Sequence, residues 1–220
     1  MSFPKDGFRM TLLNLQHLEA IERLQDRVAA HLERVDQLQK LTHDEIRIIL
    51  HQELFAGVWI DDQLVAARAF LYTPEDEEHL AKDVGIHVDE WKDVIYSEIS
   101  LVDPSYQGHG LQKKMGAWWM ERLQTSPYRY VCATVAPFNI PSMKDKFQLG
   151  MSIGALKVKY GGKLRYIFVR DLQQTREVTE LQAVPMADTE MQQQLLARGA
   201  RGVGLLEQDG AWLVQYTIVD

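Results

Sequence analysis

The sequence predicts a mixed α/β fold, a central, mostly antiparallel sheet flanked by helices. Short apolar runs rich in β-branched and aromatic residues read as strands, and stretches with apolar residues at helical spacing read as helices. The two kinds interleave along the chain. With 220 residues, 46% hydrophobic and 25% charged, the chain can bury a full core as one large domain or as one domain plus an appendage.

Phe8 to Asn14 alternates loosely, as a strand does. Leu18, Ile21, Leu24, Val28, Leu32 and Val35 then recur at helical spacing. Thr42-His43-Asp44-Glu45 is a capping-box pattern: the Thr42 hydroxyl can accept from the Glu45 amide while Glu45 reaches back, and Leu41 with Ile46 forms a hydrophobic staple. A short helix to about His51 follows. Leu54 to Ile60 and Leu64 to Tyr72 form a hairpin around Asp61-Asp62-Gln63. The acidic stretch Pro74 to Glu90 reads as a short helix and loop over the surface. Val94 to Val102 is strand-like and stops at Asp103-Pro104, because proline lacks a ladder donor and restrains its predecessor.

Leu111, Met115, Trp118, Trp119 and Arg122 share one side of a helix from about Gly110 to Leu123, which makes Trp118 and Trp119 packing residues. Tyr130 to Ala136 is a strand bounded by Pro127 and Pro137. Asn139-Ile140-Pro141 opens a helix that Gly150 closes, and strands Ile153 to Lys159 and Leu164 to Val169 flank Gly161-Gly162. Beyond Leu172, a strand at Leu181 to Val184, a helix from Asp188 to Arg198, and strands Val203 to Leu206 and Trp212 to Val219 around Asp209-Gly210 form a small appended α/β element. The expected division is therefore a main domain over residues 1–172 and an extension over 173–220. That extension can cap a cleft of the main domain, form a homodimer contact or complete the core.

A net charge of −7 argues against a broad phosphate-binding surface for nucleic acid, although a local pocket for a phosphorylated cofactor remains open. The single cysteine, Cys132, lies in an apolar run, so no intrachain disulfide can form and the thiol reads as buried and inert. Neither a signal-like N-terminus nor a membrane-length apolar stretch is present, and a soluble, cytoplasmic protein is expected. The seven histidines show no metal-binding spacing, and no metal site is expected.

The strand ending at Val102 leads through Gln107-Gly108-His109-Gly110 into a helix, an arrangement suited to holding an anion on backbone amides. Neither G-x-x-x-x-G-K-[ST] nor G-x-G-x-x-G is present. Gln107-Gly108-His109-Gly110-Leu111-Gln112 resembles the [QR]-x-x-G-x-[GA] motif of the GNAT superfamily of N-acetyltransferases, with Gln112 in place of the last small residue. Asn139-Ile140-Pro141-Ser142 and Leu149-Gly150-Met151 resemble the superfamily's second motif, N-x-x-[AS] followed by a turn ending in glycine. Lys159 to Tyr166 looks like a bacterial GNAT subgroup.

This resemblance implies acetyl-coenzyme A as cosubstrate, its pyrophosphate on Gln107, Gly108, His109, Gly110, Leu111 and Gln112, and its pantetheine arm on main-chain groups of Leu101 and Val102. It also implies that Asn139 bonds the arm and that Ser142 faces it, although Asn139 suits a plain N-cap equally well. The implied reaction is direct transfer to the amine of a small molecule, which needs a base, amides on the carbonyl, and an acid for the thiolate. Glu98 is the candidate base. The usual acid tyrosine is replaced by Lys146, which leaves Tyr160 and Tyr166 as candidate phenols. Arg165 or Lys163 can meet a carboxylate on the acceptor. A coenzyme A-binding sensing module without turnover is the rival reading, and an acyltransferase for longer chains a third.

Overall fold

The computed structural model describes residues 7–31, 38–174 and 180–217. It forms two compact units, one drawn from Met1–Tyr72 and Tyr96–Arg122, the other from Thr73–Ile95 and Leu123–Asp220. Leu32, Val35 and the end of the last expected strand, Ile218 and Val219, lie outside the described residues.

In the first unit β1 (Arg9–Leu12), β2 (Phe55–Ile60), β3 (Gln63–Leu71) and β4 (Val94–Val102) lie side by side in that order, each antiparallel to the next. Helix α1 (Leu18–Ala30) buries Ile21 and Leu24, as its apolar spacing requires. Helix α2 (His43–His51) carries the expected capping box: the Thr42 hydroxyl accepts from the Glu45 amide at 3.3 Å, and the Glu45 carboxylate accepts from the Thr42 amide at 2.6 Å. Leu41 and Ile46, the expected staple, are both buried. The β2–β3 turn is one residue tighter than expected. Ile60 already pairs with Gln63, and Asp61 takes a φ of +47°, a conformation that a short polar side chain tolerates.

Helix α4 (Leu111–Leu123) buries Leu111, Met115, Trp119, Met120 and Leu123. Trp118 is half-buried. Arg122, expected on the apolar side, is instead exposed, its guanidinium 4.7 Å from the centre of the Trp118 ring. The long stem lets a charged head reach water while covering the aromatic face.

The second unit holds α3 (Leu80–Asp83), β5 (Tyr130–Val135), α5 (Ile140–Gln148), β6 (Ser152–Lys159), β7 (Lys163–Asp171), β8 (Leu181–Pro185), α6 (Thr189–Ala197), β9 (Arg201–Gln208) and β10 (Ala211–Thr217). Its strands run in the order β5-β7-β6-β9-β10-β8. The acidic stretch expected over the surface is in part pulled inward. Leu80 and Ala81 are buried, and the Asp83 carboxylate accepts from Lys157 at 2.9 Å and Lys159 at 3.1 Å. Cys132 is fully buried in β5, and burial pushes its thiol well above the ordinary range, consistent with an inert side chain.

The chain beyond Leu172 continues this unit's sheet, since β9 pairs with β6 at Gly202 and Ile153. Gln192 of α6 fastens it from within. Its carbonyl accepts from Tyr166 at 2.7 Å and from Tyr216 at 2.9 Å, while its amide nitrogen lies within hydrogen-bonding distance of the Pro185, Met186 and Asp188 carbonyls. Both phenols are fully buried, so each would be stranded without this acceptor. Gln192→Ala should therefore lower the unfolding free energy by about 2–4 kcal/mol, read as a lower midpoint in chemical denaturation. A loss of less than about 0.5 kcal/mol would show that water replaces the amide.

Candidate functional site

The candidate loop belongs to the first unit and is anchored from below. Phe8, Met10, Val58, Val65, Ala66, Leu111 and Met115 form one buried apolar cluster, with Val102, Tyr106 and Trp118 packed against it. Leu111 and Met115 thus fix the first turn of α4 on β1, β2 and β3 while the chain before them stays at the surface.

Asp103 fixes the other end. Its carboxylate accepts from the Arg27 Nε at 2.6 Å and from the Ser105 amide at 3.1 Å, and Arg27 also donates to the Leu64 carbonyl at 2.7 Å. Burial works to raise the Asp103 carboxyl. The hydrogen bonds from Arg27 and Ser105, with the Arg27 charge, outweigh it and hold the group below its ordinary 3.8.

Between these anchors, Gln107 has φ −64° and ψ 158° and Gly108 has φ +82°, angles close to a type II turn, which favours glycine at its third position. Gly110 has φ +66°, and its carbonyl accepts from the Lys114 amide at 3.0 Å as the first helical bond of α4. The amides of Leu111, Gln112 and Lys113 therefore precede the intrahelical ladder. A Cβ built on Gly108 or Gly110 would meet nothing within 4 Å, so open space lies beside both glycines. Left-handed backbone, open space and helix-start amides at the positive end of the dipole are what a coenzyme A diphosphate needs, and the loop fits that group.

The β3–β4 register sorts the strand residues. The Asp103 amide donates to the Val65 carbonyl at 2.8 Å, and Leu101 lies opposite Ala67 two residues on. By antiparallel alternation the main chain of Leu101 is committed to β3 and that of Val102 turns away from it. Of the two main-chain contacts expected for pantetheine, the register leaves only Val102 facing away. Pairing then passes from Ala69–Ile99 to Phe70–Ser97, so Glu98 is the extra residue of a β-bulge, and its side chain is exposed while its neighbours Ser97 and Ile99 are buried.

The second unit holds the remaining candidates. Asn139 caps α5, accepting from the Ser142 amide at 3.3 Å, so the N-cap role is realised. Lys146, at the position of the usual acid tyrosine, is buried, its ammonium 3.4 Å from the Asp145 carboxylate. Tyr160 sits in the β6–β7 turn with φ +50° and is 42% exposed. Tyr166 is fully buried with its hydroxyl donated to Gln192, and burial pushes it far above the ordinary phenol range. That places it in the core rather than at a surface where it can trade protons. Arg165 is half-buried and donates to the Leu164 carbonyl at 3.0 Å. Sequence reading missed Phe8, Arg27 and Asp103 as supports of the loop; only the Asp103-Pro104 strand stop signalled any of them.

No family model matches the sequence, and no curated protein matches it. Solved structures do. The loading GNATL domain of CurA from Lyngbya majuscula aligns with a TM-score of 0.57 at 14% identity, over 76% of this chain and 98% of its own. YncA from Salmonella typhimurium, solved with its cofactor acetyl-CoA, aligns with a TM-score of 0.57 at 13% identity, over 78% of this chain and 98% of its own. The ribosomal-protein-S18-alanine N-acetyltransferase from Escherichia coli gives 0.57 at 13% identity, over 79% of this chain and 99% of its own. The chain has the fold of the GNAT acetyltransferases, a mixed α+β architecture of mostly antiparallel strands and flanking helices. Among the described residues no helix is long and apolar enough to cross a membrane.

Two expectations follow. Because the folded Asp103 carboxyl titrates below 3.8, its contribution to stability is complete at neutral pH. It fades as the pH drops below about 4 and through the lower folded value. Asp103→Asn should flatten that acid limb in denaturation curves measured against pH. Gly108→Ala, with its left-handed φ, should cost about 1–2 kcal/mol in stability and weaken coenzyme A binding measured by calorimetry.

Proposed function

We propose that the chain is a cytoplasmic N-acetyltransferase that moves an acetyl group from acetyl-coenzyme A to the amine of a small molecule by direct transfer. The observation that carries this reading is the loop Gln107 to Gln112, whose open glycines and helix-start amides suit a diphosphate. The fold shared with acetyltransferases supports it. When bound, the coenzyme supplies an acetyl thioester.

Gln107, Gly108, His109, Gly110, Leu111 and Gln112 would hold its diphosphate, and Val102, Asn139 and Ser142 its pantetheine arm. Glu98, lifted out of the ladder by the bulge and exposed, takes a proton from the acceptor ammonium. The freed amine nitrogen then bonds to the acetyl carbon as the carbon–sulfur bond breaks. The sulfur takes a proton from Tyr160, the proposed donor with its exposed phenol, and the second amine proton, released as the amide forms, returns to that phenolate. Arg165 would meet a carboxylate on the acceptor.

One observation favours a second reading. Lys146 is buried beside Asp145 where the superfamily's acid tyrosine is expected, which suits a protein that binds coenzyme A for sensing and does not turn it over.

Free thiol released from acetyl-coenzyme A across a panel of amines separates the two. The enzyme requires release that depends on acceptor. Binding without such release leaves the sensing module, and absence of binding defeats both. Glu98→Gln should lower kcat about 100-fold at neutral pH with coenzyme A affinity unchanged; kinetics identical to the parent protein would remove Glu98 from the reaction.

A further inference from the structure

We propose that His109 is a positioning residue that aims the loop's amides by pinning its carbonyls, an inference that rests on the coenzyme-binding reading above. The His109 Nδ1 lies 3.3 Å from the Tyr106 carbonyl and 3.2 Å from the Gln107 carbonyl. Both partners only accept, so Nδ1 carries the proton and donates to the pair. A trans peptide points its C=O and its following N–H to opposite sides. Holding the Gln107 carbonyl against the imidazole therefore turns the Gly108 amide away from it. The same bond draws two carbonyl dipoles toward a donor, and these would otherwise repel an anion at the start of α4.

The ring is itself held. Phe8, 2% exposed and part of the buried cluster, meets it edge-on with centroids 5.6 Å apart, and the Tyr106 ring lies 6.5 Å away. A histidine serving only as a loop filler would need neither the shared donor nor the aromatic wall. The geometry also specifies which replacement works. An asparagine amide can present an N–H near the Nδ1 position, whereas glutamine carries its amide one bond further out.

The test compares His109→Ala, His109→Gln and His109→Asn by calorimetric titration with coenzyme A and, separately, with pantetheine, which lacks the diphosphate. Alanine and glutamine should weaken coenzyme A binding about 5- to 10-fold, the equivalent of one hydrogen bond, with pantetheine unaffected. Asparagine should restore it to within about twofold. The ¹⁵N shifts of the His109 ring in the free protein should report protonated Nδ1. Unchanged coenzyme A affinity in the alanine variant would overturn the proposal, as would equal loss for both ligands or a ring protonated only at Nε2. Failure of the parent protein to bind coenzyme A would instead overturn the coenzyme-binding reading, and the positioning role with it.

Discussion

The pairing of Arg27 with Asp103 is the contact on which the candidate loop depends. One guanidinium joins α1, the start of β3 at Leu64 and the end of β4, three pieces far apart in sequence. Asp103 is nearly buried, whereas the Arg27 side chain is 37% exposed, so the pair is only partly removed from water and its energy is that of a few charged hydrogen bonds rather than of a dry ion pair. Its value is geometric. By capping the turn at Ser105, Asp103 sets the direction in which the chain leaves β4. The apolar seat of Leu111 and Met115 sets where it re-enters a helix. The glycines between need only close a gap whose two ends are already fixed.

This division of labour explains why so polar and open a segment can hold one shape. A loop proposed to offer amides to an anion cannot spend them on its own carbonyls. Its order comes from side chains, Arg27, Asp103, Phe8 and Tyr106 behind it and the His109 ring within it. The bulge at Glu98 follows similar logic: the ladder gives up one pairing step and exposes a carboxylate on an otherwise buried stretch of strand.

Much of the fold was legible because local patterns and tertiary packing agree. The capping box at Thr42, the strand stop at Asp103-Pro104, the N-cap at Asn139 and the hairpin around Gly161-Gly162 each rest on neighbours within a few residues, and each forms as read. The misreadings came from features that local spacing does not encode. Arg122 has the right spacing for an apolar face but a side chain long enough to leave it. Tyr166 and Tyr160 look alike beside the same turn, yet Gln192, 26 residues beyond Tyr166, takes Tyr166 into the core. The bulge at Glu98 and the opposite facings of Leu101 and Val102 depend on registration with β3, which no single strand's pattern reveals. The loop's left-handed turns were visible in its glycines; its supports were not, since Phe8 and Arg27 lie about 100 and 80 positions upstream of His109 and Gln107.

The single amide of Gln192 has a consequence for where this chain can be cut. A break after Leu172 falls in a turn and looks harmless in sequence, but it would strip Tyr166 of its acceptor and β6 of the strand beside it. The shortened protein would present a bare sheet edge and a stranded hydroxyl, both invitations to self-association. The segment from β8 to β10 is in this sense a closure and not an ornament: α6 completes the hydrogen bonding of a core begun some 60 residues earlier in the chain, at β5, and that core is incomplete until α6 is in place.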